Sequence, residues 1–230
     1  MNINDFQARE DKKDVYSNRK MELINYSLKV RKELLSNVNV TFSAGKMSHM
    51  LGKNGTGKSC FAKSVMGVFS YKGTIQTEAK NIVVIGSYSN IPLEMKVKDI
   101  IQLVNVKYDK KIVSVLEQKL QIHKIPCNNR LKNLSDGQRQ KVKLLFYLAS
   151  EPEVIILDEF TNALDKESCM DIYSFLNEYI QENNRCVVIN ITHNLADLEY
   201  MAGDYYLIDD KDIQQISKKE DIIERYIKGV

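Results

Sequence analysis

The chain has 230 residues, enough to bury the core of one domain. Hydrophobic residues make up 43% of it and charged residues 27%, as in ordinary globular proteins. No apolar run approaches the ~18 residues of a membrane span. The net charge is only +3, and no basic stripe with interleaved aromatic residues indicates nucleic-acid binding. The four cysteines lack the paired spacing of zinc sites or of a disulfide framework.

Residues 1–20 are polar and densely charged, without the apolar segment of a secretory signal. We therefore expect a cytoplasmic protein, in which these residues form an extension ahead of a single domain at 21–230. If the protein acts at a membrane, another chain must supply the membrane part.

Segments rich in β-branched and apolar residues alternate with segments of helical spacing along most of the chain. The predicted strands are Glu22–Val30, Leu34–Phe42, Lys46–Leu51, Ile82–Ile85, Val154–Leu157, Val187–Ile191, Tyr205–Ile208 and Ile213–Ile216. Helices are predicted after the third strand through Met66, within 93–122, from Ser135, near Lys166–Ile180 and at the C-terminus. Two of the strands are apolar on both faces, which indicates an α/β core with a parallel sheet.

A glycine-rich segment between the third strand and its helix matches the pattern G-x-x-x-x-G-K-[ST]. Its residues are Gly52, Lys53, Asn54, Gly55, Thr56, Gly57, Lys58 and Ser59. Glycines accept positive φ, so successive N–H groups can face a phosphate at the start of a helix. Lys58 is then expected to bind the β- and γ-phosphates and Ser59 to ligate Mg²⁺. Cys60 follows in the first helical turn, within the predicted nucleotide-binding segment, and packing is its expected role.

Two acids, Asp158 and Glu159, directly follow the apolar strand Val154–Leu157. A central strand delivers them to the carboxyl edge of the sheet, beside the phosphate loop. Asp158 is expected to join the Mg²⁺ shell, and Glu159 to orient the attacking water or take its proton. To this point any P-loop NTPase fits, including a small-molecule kinase.

The segment Leu134–Gln138, Leu-Ser-Asp-Gly-Gln, resembles the Leu-Ser-Gly-Gly-Gln signature of ABC (ATP-binding cassette) ATPases. Ser135 and Gln138 form a capping-box pattern that opens a helix and directs its N-terminus at an anion. The resemblance implies that Ser135, Gly137 and Gln138 contact the γ-phosphate of ATP held by the phosphate loop of another subunit.

Two further segments resemble this family. Asn162–Asp165 is similar to its D-loop, which lies across the dimer interface, and this implies that Asp165 belongs to the nucleotide site. His193, after the strand Val187–Ile191, is similar to the switch histidine that contacts the γ-phosphate and the catalytic water. The resemblance covers about residues 21–225. It implies a P-loop NTPase core, an N-terminal antiparallel β-subdomain and an inserted α-helical subdomain at about 91–150.

The sequence departs from the family at three informative positions. Val30 stands where an aromatic residue commonly stacks on adenine, and Asn90 is nearest to the glutamine that senses Mg²⁺, so Asn90 is an expected metal ligand. Asp136 replaces a signature glycine and brings a carboxylate close to an incoming phosphate, unless it turns away to favour the helix N-terminus.

We therefore expect the ATPase subunit of a membrane transporter, on the inner face of the cell membrane. It would dimerise, as a homodimer, around two ATP molecules with Mg²⁺ and drive a transmembrane permease. The compact helical lobe favours a bacterial exporter of peptides or lipids. The alternative is a soluble ABC ATPase that regulates a cytosolic partner; a small-molecule kinase would have no use for the signature or for His193.

Overall fold

The computed structural model describes residues 19–88 and 91–228 of the chain. Most of the predicted N-terminal extension, residues 1–18, and the predicted metal ligand Asn90 lie outside the described residues.

A three-stranded antiparallel sheet covers one side of the molecule, as predicted. Its strands β1 (Lys20–Lys29), β2 (Glu33–Ser43) and β4 (Tyr71–Thr77) are arranged in the order β2-β1-β4. The sequence did not indicate β4, because its side chains are mostly exposed and show no apolar alternation.

The second sheet has six strands in the order β5-β6-β7-β3-β8-β9. They are β3 (Met47–Gly52), β5 (Ile82–Gly86), β6 (Val154–Asp158), β7 (Val187–Ile191), β8 (Gly203–Asp209) and β9 (Asp212–Ile216). All neighbours are parallel except β8 and β9. Strands β3, β6 and β7 are buried along their whole length, which explains their mostly apolar sequences.

The register of the parallel strands brings three chain segments to one edge of this sheet. Asp158 pairs with Ile191, and Ile191 pairs with Met50, two residues before the end of β3. The residues that follow β3, β6 and β7 therefore emerge side by side, at the carboxyl edge where α/β sheets bind ligands.

The helices are α1 (Lys58–Val65), α2 (Val97–Lys107), α3 (Lys110–Lys119), α4 (Asp136–Leu148), α5 (Lys166–Glu182), α6 (Leu195–Tyr200) and α7 (Lys219–Lys228). Helices α2–α4 form the predicted helical insertion between β5 and β6, together with two short 3₁₀ helices, Ile122–Lys124 and Leu131–Asn133. The sequence did not indicate α6, whose six residues are too few for a periodic pattern. No helix of the described segments is long and apolar enough to cross a membrane.

Each face of the six-stranded sheet has its own hydrophobic core. Ile155 and Leu157 of β6 pack with the helical insertion and α5, while Val154 and Ile156 pack with α1 and the antiparallel sheet. Alternate side chains of a strand point to opposite faces, so one short strand contributes to both cores. Burying β6 on both faces fixes the positions of Asp158, its last residue, and of Glu159, which follows it.

Candidate functional site

The phosphate loop connects β3, which ends at Gly52, to α1, which begins at Lys58. Gly55 and Gly57 have φ angles of +81° and +111°, in the region that favours glycine. Gly57 directly precedes α1, and within the described segments no side chain caps the first N–H groups of this helix. A helix that begins in this way offers its free N–H groups and its positive dipole end to an anion.

The ammonium group of Lys58 is buried under this loop. Its Nζ donates hydrogen bonds to the carbonyl oxygens of Gly52, at 2.6 Å, and Lys53, at 3.2 Å. Burial lowers the pKa of Lys58, while the nearby carboxylates of Glu159 and Asp158 oppose this shift. A buried cation bonded to two neutral carbonyls is well suited to a phosphate, which would supply the compensating charge.

Ser59 and Asp158 bring two oxygen atoms together beside the loop. Ser59 Oγ donates a hydrogen bond of 3.1 Å to Asp158 Oδ1, which joins α1 to the end of β6. Burial raises the pKa of Asp158, and the Ser59 hydrogen bond opposes that shift. No group of three or more His, Cys, Asp or Glu side chains that could hold a metal occurs in the described segments. These oxygens fit Mg²⁺, which usually takes one or two protein ligands and completes its shell with phosphate oxygens and water.

Glu159 and His193 face each other across the ends of β6 and β7. Glu159 has a φ angle of +52°, and its N–H donates to Ile191 O at 2.9 Å. Its carboxylate lies 3.3 Å from His193 Nδ1 and accepts a bond of 3.0 Å from Asn162 Nδ2. The side chain of Glu159 remains 36% exposed and that of His193 42%. A backbone in this sparsely populated region requires support from its surroundings and is typical of functional sites.

A cavity of about 340 Å³ lies over the phosphate loop. The described residues that line it are Val30, Arg31, Lys32, Leu34, Asn54, Gly55, Gly57, Lys58, Ser59, Cys60 and Glu159. Sequence reasoning missed Arg31 and Lys32; the available signal was a pair of adjacent cations beside Val30, between two predicted strands. A larger hollow, about 520 Å³, is lined by residues of the helical insertion such as Ile101 and Cys127 and by no predicted site residue.

The signature segment begins α4 with the predicted capping box. Ser135 Oγ accepts a bond of 3.2 Å from Gln138 N, and Gln138 Oε1 accepts one of 3.2 Å from Ser135 N. Asp136 turns to Arg139, whose Nη1 lies 2.9 Å from Asp136 Oδ1. None of Leu134–Gln138 is among the described residues that line the cavity over the phosphate loop.

Helix α4 is fixed to α5 at its first turn. A Cβ atom on Gly137 would lie only 2.1 Å from Ser168 Oγ, so only glycine fits there. Asp165 caps α5: its Oδ1 accepts from Ser168 N at 2.8 Å and its Oδ2 from Ser168 Oγ at 3.0 Å. These hydrogen bonds lower the pKa of Asp165. Lys141 Nζ also forms an ion pair of 2.6 Å with Asp171, so the signature and the D-loop are held together.

The structure therefore collects the predicted residues in two groups. The phosphate loop, Asp158, Glu159 and His193 meet at the carboxyl edge of the sheet. Ser135, Gly137, Gln138 and Asp165 meet where α4 and α5 begin.

This arrangement agrees with comparisons to known proteins. The family model described as "ABC transporter" matches residues 35–162. The chain belongs to the ABC transporter family.

Relatives match almost the whole length of the chain. It is 41% identical over 208 residues to the probable peptide export ATP-binding protein YydI of Bacillus subtilis. This match covers 90% of this chain and 99% of that protein. It is 32% identical over 200 residues to the energy-coupling factor transporter ATP-binding protein EcfA of Pediococcus pentosaceus, covering 77% of this chain and 69% of the relative.

Solved structures agree on the fold. A metal-chelate type ABC transporter in an inward-facing conformation superposes with a TM-score of 0.77 at 21% identity, covering 93% of this chain and 90% of that one. A bacterial Atm1-family ABC exporter with ATP bound gives a TM-score of 0.76 at 19% identity; the match covers 92% of this chain and 41% of the exporter chain.

The predicted family and fold are thereby confirmed. The ATP-binding subunits of ABC transporters are ATPases, so this ABC protein is an ATP-binding and ATP-hydrolysing subunit of a transporter.

Proposed function

We propose that two copies of this chain close around two Mg²⁺-ATP molecules and drive a membrane-embedded partner that exports a peptide. The observation that carries peptide export is the 41% identity, over nearly the full length of both chains, to a probable peptide export ATP-binding protein. Residues 21–230 would act as one ABC ATPase domain, with its helical subdomain at about 91–150. The protein would work on the inner face of the cell membrane.

Dimerisation is supported by the separation of the two groups of site residues. The cavity over the phosphate loop has free helix N–H groups and a cation on one side, while the capped start of α4 lies outside it. A second copy can bring its Ser135, Gly137 and Gln138 to the γ-phosphate. In this arrangement each ATP binds between the phosphate loop of one subunit and the signature of the other.

Within each site the side chains divide the chemistry of hydrolysis. Lys58 and the loop N–H groups bind the phosphates, while Ser59 and Asp158 hold Mg²⁺. When bound, this ion neutralises charge on the phosphate oxygens. The oxygen of a water molecule bonds to the γ-phosphorus, the bond to the bridging oxygen breaks, and ADP leaves. Glu159 accepts the water proton, and His193, 3.3 Å away, helps to hold the water in place.

The adenine base of ATP would contact a different set of side chains in this protein than in most of the family. Val30 and Arg31 line the cavity where the family commonly has an aromatic side chain. A planar guanidinium stacks on aromatic faces, so we assign the adenine contact to Arg31, with Val30 as its neighbour in the cavity lining.

ATP-dependent dimerisation and membrane association test this proposal. The Glu159→Gln variant should dimerise at saturating Mg²⁺-ATP, as measured by light scattering, while the added Lys58→Ala change should keep it monomeric. The tagged wild-type chain should co-purify from membranes with an apolar, multi-span protein, and vesicles carrying both should transport a peptide on ATP addition. A Glu159→Gln variant that stays monomeric contradicts the composite site. A partner that transports another cargo contradicts peptide export alone.

A further inference from the structure

A cluster of polar side chains is buried beneath the site, where an apolar core would be expected. It consists of Asp197, Asn190, His49, Thr161 and Tyr173, which we call the Asp197 cluster. Asp197, on α6, is fully buried, and the other four are at most 4% exposed. Burying a carboxylate costs free energy unless its oxygens accept hydrogen bonds, so the hydrogen-bond partners of Asp197 must hold it in place.

The Asp197 carboxylate accepts hydrogen bonds from three different segments. Thr161 Oγ1 donates to Oδ1 at 2.9 Å from the segment after β6, and Tyr173 Oη donates to the same oxygen at 2.7 Å from α5. Asn190 Nδ2, on β7, donates to Oδ2 at 3.0 Å. Hydrogen bonds to a charged acceptor are stronger than neutral ones, so one carboxylate joins these three segments firmly.

His49 connects the cluster to β3, the strand that ends in the phosphate loop. Its Nε2 lies 2.8 Å from Met201 O, and a carbonyl can only accept, so Nε2 carries the proton. Nδ1 is then free to accept from Asn190 Nδ2, at 3.3 Å. Burial lowers the pKa of His49, in keeping with a neutral ring.

The cluster lies close in the chain to both proposed catalytic side chains. Thr161 is two residues beyond Glu159, and Asp197 is four residues beyond His193. The hydrogen bond between Thr161 and Asp197 therefore joins the segment that follows Glu159 to the segment that follows His193. The same two segments carry the contact between Glu159 and His193. Because Glu159 adopts a positive φ, its position depends on such support.

We propose that Asp197 is a positioning residue, which sets the distance between Glu159 and His193 through its hydrogen bond from Thr161. This inference rests on the proposed roles of Glu159 and His193 in hydrolysis. Asp197 touches neither ATP nor the reacting water, so its effect appears in the rate of the chemical step rather than in the binding of nucleotide.

Two nearly isosteric substitutions separate positioning from general stability. Thr161→Val removes the bond that reaches the Glu159 segment, and Tyr173→Phe removes a bond to the same Asp197 oxygen from α5, which carries no catalytic residue. Tyr173 Oη also lies 3.5 Å from Asn194 Nδ2, next to His193, so Tyr173→Phe removes at least as many contacts as Thr161→Val while keeping the bond that reaches the Glu159 segment.

We expect Thr161→Val to lower the kcat of ATP hydrolysis about tenfold and to leave KM for ATP within about twofold of the wild-type value. Both variants should lower the thermal midpoint of unfolding by similar amounts. Tyr173→Phe, however, should change kcat by less than about twofold. Equal losses of kcat in both variants, or an unchanged kcat in Thr161→Val, would overturn the proposal.

A second pair of variants tests the carboxylate itself. The amide of Asp197→Asn can accept from Asn190 and donate to the two hydroxyl groups, so kcat should stay near that of the wild type. Asp197→Ala leaves three donors without an acceptor and should reproduce the loss seen in Thr161→Val. If Asp197→Ala folds and keeps full kcat, the carboxylate does not position the site.

Reference variants separate this inference from the proposed function. Glu159→Gln and His193→Ala should each hydrolyse ATP far more slowly than any variant of the cluster. If both retain hydrolysis, the catalytic assignment is wrong. If both lose it while Thr161→Val does not, only the role of Asp197 is wrong.

Discussion

Two helices of this protein have N-termini that we propose bind phosphate, and they begin in opposite ways. Helix α1 follows Gly57, which has no side chain to cap it, and carries the buried cation of Lys58 at its first position. Helix α4 follows Ser135, and its capping box already engages the N–H of Gln138. The cation in its first turn, Arg139, is bonded to Asp136 and to the carbonyl oxygens of Leu131 and Leu134.

The difference indicates a division of labour between the two helices. With free donors and an available cation, α1 can bind phosphate within one chain. The start of α4 is pre-formed but largely satisfied, so it is suited to a phosphate that another subunit has already bound. Substitutions at α1 should therefore affect binding to the single chain, and substitutions at α4 should affect the closed dimer.

Lys58→Ala should have the largest effect of the four changes that follow. Removal of a buried ammonium that bonds phosphate should weaken ATP binding by about a hundredfold or more, as titration calorimetry can measure. The control is Lys53→Ala, because the side chain of Lys53 is exposed and only its carbonyl contacts Lys58. Equal losses in both variants would show that the loop as a whole, rather than the buried cation, determines affinity.

Ser135→Ala should leave ATP binding to the single chain unchanged but slow hydrolysis about tenfold. Loss of the N-cap should also lower the free energy of unfolding by about 1 kcal/mol. Nucleotide titration, steady-state hydrolysis and thermal unfolding measure the three quantities. Weaker ATP binding to the isolated chain would contradict a role confined to the dimer.

The affinity for ATP should fall as pH rises in the alkaline range. Burial lowers the pKa of Lys58 from its ordinary 10.5, so the ammonium loses its proton at a pH where exposed lysines keep theirs. We expect a weaker affinity at about pH 10 than at about pH 7, and a larger loss than a lysine of ordinary pKa would give. The Lys58→Ala variant, measured over the same range, should show no such dependence.

Asp136→Gly should have the smallest effect and the opposite sign. Removal of a carboxylate near the incoming γ-phosphate should tighten the ATP-bound dimer about threefold in the Glu159→Gln background, most clearly at low salt. Because Arg139 partly neutralises Asp136, the gain should be modest. A weaker dimer would instead show that Asp136 acts mainly on the helix N-terminus, which Asp136→Asn would then reproduce in part.

Local spacing was enough to predict much of the site. The phosphate loop, the acids at the end of β6 and the capping box of Ser135 and Gln138 each depend on residues a few positions apart, and the structure has their local geometry as predicted. The two sheets and the helical insertion followed from the alternation of segments and from the family resemblance.

What the sequence could not reveal depends on contacts between distant segments. The contact of Glu159 with His193 requires the register that pairs Asp158 with Ile191. The Asp197 cluster was missed because Asn190 lies within an apolar strand and Asp197 on a helix of six residues. Arg31 lines the cavity because the turn between β1 and β2 lies over the phosphate loop, a contact between segments distant in the sequence.

The close approach of Gly137 to Ser168 has a mechanical consequence. Because only the short side chain of Ser168 separates the two helices here, and the ion pair of Lys141 and Asp171 lies one turn along, α4 and α5 form a stiff unit. A load that a membrane partner places on the helical insertion would reach Asp165 as a displacement, rather than being dissipated by bending at the joint.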